Sequence, residues 1–335
     1  RLSKKFWNPS VCKLTPYVAG EQPINNDYIK LNTNENPSGP SLHVKDAIIN
    51  VLKTTGADLR LYPDPECRDL RKAIALYYKI NMNQVFVGNG SDEVLAFCFQ
   101  ALLSKRGTLA LPEITYSFYP SLAKLFEIKT ESIKLVNDFS FSLENLNPNI
   151  NSVIFANPNA TTGISLTRNY VRKFLDANPN KLVIVDEAYV DFGAQSCVNL
   201  IKSHKNIIVT QTFSKSRGLA GIRLGFAMGD YGLISAIARV KNSFNTYPVD
   251  RLASCAGIAS LKDKTWFEFN KEKIIENRKF LTLRLEKLGF HVLPSQGNFV
   301  LTSHPKIQAM NIFTELKKNK ILVRHFNKNK IKNWL

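Results

Sequence analysis

Short apolar runs alternate with segments of helical periodicity through most of the chain. The runs at 182–185 and 207–210 are rich in Val and Ile and are bounded by polar or turn residues, a pattern typical of strands buried on both faces. Strands are predicted at 85–87, 108–111, 128–135, 152–156, 182–185, 207–210 and 224–228, with helices between them at 93–103, 167–177 and 233–240. This alternation predicts an α/β fold, a three-layer and mainly parallel sheet with helices on both faces.

The pattern differs at the two ends of the chain. Helices are predicted at 41–54 and 67–78, before the first strand of the sheet. After Pro248 the chain is predicted to be mostly helical, with strands at 291–293, 298–301 and 321–323 and a helix at 307–317. We therefore expect a small α+β domain over 248–335, a large domain over 38–247, and an N-terminal arm over 1–37 that joins the small domain.

The composition narrows the class of protein. Hydrophobic residues make up 44% and charged residues 21% of the chain, a balance typical of globular proteins. No apolar run approaches the ~18 residues of a membrane helix, so we expect no membrane partner. The five cysteines are scattered and never form a C-x-x-C pair, which favours reduced thiols in a cytoplasmic protein. The five histidines are isolated, and no metal site is predicted.

The formal net charge of +18 raises the question of nucleic-acid binding. The lysines are spread along the chain, however, and no basic motif is interleaved with aromatic residues. We therefore expect no nucleic-acid partner. A positive field would instead attract anionic, phosphorylated small molecules.

Candidate chemistry follows the strand at 207–210. Lys215 lies just beyond the strand end, where α/β sheets bind their ligands. Its amine is a possible nucleophile. Ser214 and Arg223 add a hydroxyl and a cation suited to a phosphate.

Two further segments point to the same region of the sheet. Asp186 closes the apolar strand at 182–185. A carboxylate there is costly without a cationic partner such as a pyridinium nitrogen, although a bond to a neighbouring loop would also explain it. The segment 88–93 runs from a strand through two glycines into a helix, whose first N–H groups form an anion site.

These segments, in this order and spacing, resemble the fold-type I aminotransferases that depend on pyridoxal 5'-phosphate (PLP), and among them the histidinol-phosphate aminotransferases. The resemblance covers nearly the whole chain. Its other matching segments are 14–17, 31–37, 62–64, 112–119, 157–163, 186–189, 243–248, 295–299 and Arg324. It implies that the large domain binds PLP.

The resemblance also implies roles for the residues around the cofactor ring. Lys215 would form a Schiff base with PLP and then carry the proton between the substrate Cα and the cofactor C4′. Asp186 would pair with the pyridine nitrogen, Tyr189 would bind the phenolic oxygen of the ring, and Tyr116 would stack on the ring face.

Other positions match the phosphate contacts of the family. Ser91, Asp92, Ser214 and Arg223 would hold the cofactor phosphate within the chain. Tyr62 would reach that phosphate from a partner subunit, which implies a homodimer.

On the substrate side, Tyr17, Asn34 and Arg324 match the positions that line the family's pocket, with Arg324 facing the substrate phosphate. The implied reaction converts L-histidinol phosphate and 2-oxoglutarate into imidazole-acetol phosphate and L-glutamate in histidine biosynthesis. An aromatic amino acid aminotransferase and a threonine-phosphate decarboxylase stay open as alternatives, because both would use Lys215 and Asp186. A remoter alternative is an inactive protein of this fold with a regulatory or nucleic-acid-binding role.

Two departures from the family pattern bear on activity. Ala160 replaces the Asn that binds the ring oxygen, so Asn159 or Asn157 would have to supply that contact, and Thr161 replaces a proline. The family's R-I-S/T-I-G segment, whose Arg binds substrate anions, would begin where the chain stops at Leu335. Since the chain also starts at Arg1, we expect a fragment that transaminates poorly and gains activity with glutamate when that segment is restored.

Overall fold

The computed structural model describes residues 4–23 and 27–335. Its strands are β1 (Ile29–Lys30), β2 (Val85–Gly88), β3 (Thr108–Pro112), β4 (Lys129–Ile133), β5 (Ile150–Ala156), β6 (Leu182–Asp186), β7 (Ile207–Thr212), β8 (Gly225–Gly229), β9 (His291–Val292), β10 (Thr302–Ser303) and β11 (Ile321–Leu322). Its α-helices are α1 (Leu42–Thr55), α2 (Arg68–Tyr78), α3 (Gly90–Cys98), α4 (Phe118–Leu125), α5 (Arg168–Ala177), α6 (Tyr231–Phe244), α7 (Arg251–Lys262), α8 (Lys264–Lys287) and α9 (Ala309–Lys318). A π-helical turn extends α3 over Phe99–Leu103, and short 3₁₀ turns occupy Lys4–Phe6, Val11–Lys13, Gly56–Arg60, Met82–Gln84, Val190–Phe192, Val198–Lys202 and Ala220–Ile222.

Seven strands form the central sheet in the order β2-β8-β7-β6-β5-β3-β4. Within this sheet β8 pairs antiparallel with both of its neighbours, β2 and β7, and the other pairings are parallel. Such a mainly parallel sheet requires crossover helices between its strands. The predicted α/β class is confirmed.

Alternating residues of the central strands pack on opposite faces of the sheet, which is why the strand sequences are almost wholly apolar. On β6, Val183 and Val185 join one hydrophobic cluster and Ile184 joins another. The first cluster contains residues of α1, α2, α5 and α7, and the second contains residues of α3, α4 and α6. Both faces are therefore covered, and the three layers leave the strand ends as the accessible edges.

Two small sheets lie outside the central one. β9 and β10 pair antiparallel, and β1 pairs in parallel with β11, so that Ile29 is opposite Ile321. This second pairing joins a segment near the start of the chain to one near its end. The proposed boundaries of the arm and the two domains stay a prediction.

Some predicted elements differ from the observed ones. The strand predicted at 298–301 is wrong, because Ser295 Oγ donates to the Phe299 carbonyl at 2.6 Å and folds this segment into a loop, and the strand β10 follows it. β4 ends at Ile133 rather than at 135, since the Leu135 N–H donates to the Glu113 carboxylate instead of a neighbouring strand. The helix α4 and the two-residue strand β1 were not predicted.

Candidate active site

The carboxyl ends of β6 and β7 bring the two strongest candidates to one edge of the sheet. The strands are parallel neighbours, with Asp186 opposite Thr210. β6 ends at Asp186, and β7 leads through Ser214 into Lys215. The backbone N–H of Asn157, just after β5, donates to the Asp186 carbonyl at 2.8 Å. Three parallel strands therefore end around a common space, the usual ligand position in such sheets.

Lys215 is half-buried and points its amine at the N-terminal part of the chain. Its Nζ donates to the Thr33 carbonyl at 2.8 Å and lies 5.6 Å from the centroid of the Tyr189 ring. The Asn36 amide donates to the Lys215 carbonyl at 3.0 Å and to the Ser216 carbonyl at 3.2 Å. The segment from Thr33 to Asn36 therefore covers the loop that carries Lys215.

Asp186 is buried, with 4% of its surface exposed. Its Oδ2 accepts from the Tyr119 hydroxyl at 2.6 Å and its Oδ1 from the Thr210 hydroxyl at 3.2 Å. Burial raises the pKa of this carboxyl to about 6, although the two hydroxyl hydrogen bonds and one from the Ala188 backbone N–H oppose the rise. Among the described residues no Lys, Arg or His forms an ion pair with Asp186. A buried carboxylate without a cation fits the N–H of a pyridinium ring.

Tyr189 lies beside Lys215, and its hydroxyl accepts a hydrogen bond from the Asn34 amide at 3.2 Å. Its ring meets the Phe299 ring edge-on, with the centroids 5.1 Å apart. The Asn34 carbonyl in turn accepts from the Asn298 amide at 2.9 Å. The phenol is thus oriented from two sides and keeps its own proton to donate.

Two side-chain amides, those of Asn157 and Asn159, flank the position of Ala160, and they differ in their hydrogen bonds. Both polar atoms of the Asn157 side chain bind the Leu166 backbone, at 3.0 and 2.8 Å. The Asn159 side chain is buried and donates to the Ile114 carbonyl at 2.8 Å, while its Oδ1 has no partner among the described residues. Ala160 packs against Tyr189 and Phe299. Asn159 therefore keeps an unpartnered acceptor oxygen and a second N–H on Nδ2, whereas both polar atoms of Asn157 are already engaged.

The first turn of α3 lies close to Arg223. A Cβ on Gly90 would come within 2.5 Å of Arg223 Nη2, and one on Gly225 within 2.5 Å of the Ser91 N–H nitrogen. Glycine at both positions is what permits this close approach, and Gly90 also has a φ of +81°. The result is a helix N-terminus next to a guanidinium, an arrangement that fits a phosphate.

Asp92 connects this phosphate-binding side to the aromatic residues. Its Oδ2 lies 3.8 Å from Arg223 Nη2, and its Oδ1 accepts from the Tyr116 hydroxyl at 3.0 Å. Ser214 is buried, and its hydroxyl accepts from Thr212 Oγ1 at 3.0 Å. Asp92 therefore orients Tyr116 and Arg223, and Ser214 is held with its own O–H free to donate.

Tyr17 and Arg324 lie on the side of Tyr116. The Tyr17 ring is 5.9 Å from the Tyr116 ring, edge-on. Burial raises the pKa of Tyr17, the charge of Arg324 lowers it, and Asp92 and Tyr189 raise it further. Arg324 itself donates to the Val18 carbonyl at 3.2 Å. The structure thus brings the three predicted substrate residues, Asn34 included, around one space.

Tyr62 is the predicted site residue that does not lie near the other predicted site residues within one chain. Its side chain is 78% exposed and stacks on Tyr247, with the ring centroids 4.6 Å apart. No described contact joins it to Lys215 or Arg223.

Three residues in contact with the site were missed at the level of sequence. Tyr119 binds Asp186 from the unpredicted helix α4, and its place at the end of the matching segment 112–119 was the available signal. Thr33 contacts Lys215 through its backbone carbonyl, and the Asn36 side chain binds the Lys215 loop from a distant part of the chain. Backbone contacts and contacts between distant segments have no sequence signature.

Residues 4–23 and 27–335 contain neither a metal-binding cluster nor a membrane-spanning helix. No group of three or more His, Cys, Asp or Glu side chains is arranged to hold a metal ion. No helix is both long enough and apolar enough to cross a membrane.

Comparison with known proteins agrees with the geometry. Residues 26–335 match the family model described as aminotransferase class I and II. The chain is 46% identical to a histidinol-phosphate aminotransferase of Clostridium botulinum and 50% identical to one of Clostridium acetobutylicum, in each case over 99% of this chain and 93% of the relative. The solved structure of histidinol-phosphate aminotransferase from Sinorhizobium meliloti in complex with pyridoxal-5'-phosphate has the same fold, with a TM-score of 0.89 at 24% identity over 99% of this chain and 92% of that one.

Proposed function

Because the chain belongs to the class I and II aminotransferases and, among them, to the histidinol-phosphate aminotransferases, we propose that it transfers the amino group of L-histidinol phosphate to 2-oxoglutarate. The products are imidazole-acetol phosphate and L-glutamate, in a step of histidine biosynthesis. Its cofactor is PLP. The observation that supports this reaction best is that Lys215 follows β7 and the buried Asp186 ends the neighbouring strand β6, where Asp186 has no cationic partner among the described residues.

Bound PLP supplies a ring that accepts the electron pair released at the substrate Cα. Lys215 would hold the cofactor through its amine and, once the substrate has displaced it, would act as the base that takes the proton from the substrate Cα. Asp186 accepts the N–H of the pyridine ring, and Tyr189 donates to its phenolic oxygen. The second N–H of the Asn159 amide supports the same oxygen in place of the absent Asn at position 160. Tyr116 stacks on the ring, held by Asp92.

The cofactor phosphate is held by groups that the fold places together. Ser91 and Asp92 contribute the first turn of α3, whose N–H groups face an anion. Ser214 donates its hydroxyl, and Arg223 contributes a guanidinium. Both charges of the phosphate thereby find donors within the chain.

Tyr17, Asn34 and Arg324 bind the substrate, and Arg324 takes its phosphate. The cation at this position favours a phosphorylated amine over an aromatic amino acid. Threonine phosphate, the substrate of a decarboxylase of this fold, would satisfy Arg324 as well. Direct comparison of donors therefore decides between them.

Replacement of Arg324 by Gln is expected to raise the KM for L-histidinol phosphate about 10- to 100-fold, the loss typical of a hydrogen bond to a charged group, with little change in kcat. Steady-state kinetics with L-histidinol phosphate, an aromatic amino acid and threonine phosphate measure this. Arg172→Gln, which removes an exposed Arg from α5, is the control. An unchanged KM for the phosphorylated amine, or faster turnover of either other donor by the unaltered chain, would contradict the assignment.

We also propose a homodimer in which Tyr62 reaches the cofactor phosphate of the partner subunit. The exposed Tyr62–Tyr247 stack supports this, because large exposed aromatic surfaces favour protein contacts. The division into an arm (1–37), a PLP-binding domain (38–247) and a small domain (248–335) is part of the same proposal, as is a cytoplasmic location, which the five free cysteines favour.

Complementation tests the role of Tyr62. Homodimers of Tyr62→Ala are expected to bind PLP more weakly, and homodimers of Lys215→Ala to be inactive. A heterodimer of the two, purified with different tags, regains one intact site because Tyr62 and Lys215 then come from different subunits. Recovered turnover and PLP affinity are the predicted result. A heterodimer whose PLP affinity stays at that of the Tyr62→Ala homodimer would place Tyr62 in the site of its own chain.

A further inference from the structure

The carboxylate of Asp186 is held by two neutral hydroxyls, one on each oxygen. The Tyr119 hydroxyl donates to Oδ2 at 2.6 Å, and the Thr210 hydroxyl donates to Oδ1 at 3.2 Å. The shorter bond has the length of a charge-assisted hydrogen bond, which is roughly twice as strong as a neutral one. Tyr119 is therefore the principal donor to this carboxylate.

Tyr119 is enclosed by the protein on the side of the site that carries Tyr116. The side chain is fully buried on α4, and its ring meets the Tyr116 ring edge-on with centroids 5.5 Å apart. Burial and the charge of Asp186 hold the pKa of Tyr119 well above its ordinary value. The phenol thus stays protonated at any working pH, and its O–H donates a hydrogen bond to Asp186.

The other titratable groups that act on Asp186 do not substitute for this donor. Asp92 of α3 raises the pKa of Asp186 by like-charge repulsion. Cys98 of α3 stays a thiol, since burial raises its pKa to about 12. Without Tyr119, Asp186 would keep the long hydrogen bond from the Thr210 hydroxyl and the one from the Ala188 backbone N–H, and burial would favour its neutral form further.

We propose that Tyr119 is a positioning residue that fixes the Asp186 carboxylate, in its charged form, against the ring nitrogen of the cofactor. The inference rests on the proposed function, because it requires Asp186 to face that nitrogen. A neutral Asp186 would take up the shared proton and leave the ring nitrogen unprotonated, so the ring would accept electrons less well. Tyr119→Phe removes a single oxygen and keeps the ring that packs against Tyr116.

The ring nitrogen reports this proton directly. The unaltered chain and its variants would be loaded with PLP labelled with ¹⁵N in the ring, and the ¹⁵N chemical shift followed from pH 6 to pH 9. Tyr119→Phe is expected to lower the ratio of protonated to unprotonated nitrogen about 10-fold or more, and to lower kcat with little change in KM. Thr210→Val, which removes the longer bond, should move the shift in the same direction by less.

Tyr78→Phe is the matched control. The Tyr78 hydroxyl is also shielded from solvent, but it donates to the neutral amide of Gln211. Loss of the Tyr78 hydroxyl should not change the ¹⁵N chemical shift of the ring nitrogen from its value in the unaltered chain. A nitrogen that stays protonated in both Tyr119→Phe and Thr210→Val, or one that changes equally in Tyr78→Phe, would overturn the inference. Asp186→Asn distinguishes failure of the Tyr119 inference from failure of the proposed function. If the nitrogen also stays protonated in Asp186→Asn, the proposed role of Asp186 is wrong.

Discussion

Replacing Lys215 by Ala is expected to lower transamination of L-histidinol phosphate by about 10⁴-fold or more, the effect of a general acid–base together with the loss of a covalent anchor. The amine is the group that the structure aims at the shared space, 2.8 Å from the Thr33 carbonyl and beside the Tyr189 ring. Turnover at saturating PLP measures the loss. The visible absorbance of the bound cofactor should change at the same time, because its covalent attachment is lost.

Lys215→Arg is the matched control for charge. Its guanidinium can still donate to the Thr33 carbonyl, but it is not a nucleophile and does not release its proton. The variant should therefore fold like the unaltered chain and be as inactive as Lys215→Ala. Substantial turnover by Lys215→Arg would show that the cation alone matters, and would contradict the role given to the amine.

Asp186→Asn is expected to lower kcat about 10²- to 10³-fold, consistent with the loss of a strong electrostatic contact, and yet not to destabilise the cofactor-free chain at pH 8. Burial raises the pKa of Asp186 from 3.8 to about 6 in the folded chain. A carboxyl of this kind adds most to stability below pH 3.8, where it is neutral in both states, and this contribution is lost as the pH rises through 6. At pH 8 the buried charge therefore costs about 3 kcal/mol, which Asn removes.

Thermal unfolding of the cofactor-free proteins at several pH values checks this prediction. The difference in stability between Asp186→Asn and the unaltered chain should move in favour of the variant from pH 4 to pH 7. Asp176→Asn, at an exposed position of α5, should lack both effects. If Asp186→Asn kept its turnover, the pairing of this carboxylate with the cofactor would be wrong.

The centre of the site could be predicted because its chemistry is encoded locally. Asp186 and Lys215 each follow a continuous apolar run, and such runs become adjacent parallel strands whose ends meet at one edge. The glycines at 88 and 90 likewise mark the strand-to-helix turn that begins α3. Residues placed by a single strand end or helix start were therefore accessible from the sequence.

The rest of the site depends on contacts between distant segments. Thr33 lies 182 positions before Lys215 and contacts it through a backbone carbonyl, which any residue possesses. Tyr119 lies 67 positions before Asp186, on a helix with a proline in its first turn that the pattern did not reveal. The strand predicted at 298–301 had suitable apolar residues, but the Ser295 side chain folds the segment into a loop. In each case tertiary hydrogen bonds, absent from any local pattern, decided the outcome.

Ala160 illustrates the same limit. The sequence shows that an amide is missing there, and the structure shows how its neighbours are engaged. Asn157 is engaged with Leu166 through both polar atoms, Asn159 is engaged with Ile114 through Nδ2, and the unpartnered atom of Asn159 is the acceptor Oδ1. Tyr189, held by Asn34, is consequently the main group that can donate to the phenolic oxygen of the ring.

Borohydride reduction followed by peptide mapping tests the central claim most directly. The PLP-loaded protein would be reduced once alone and once after incubation with L-histidinol phosphate in the absence of 2-oxoglutarate. The predicted result is a phosphopyridoxyl group on the peptide that contains Lys215 in the first sample, and an unmodified Lys215 in the second, because the amino donor releases the lysine amine. A label on another lysine, or a label on Lys215 that the donor does not remove, would contradict the account.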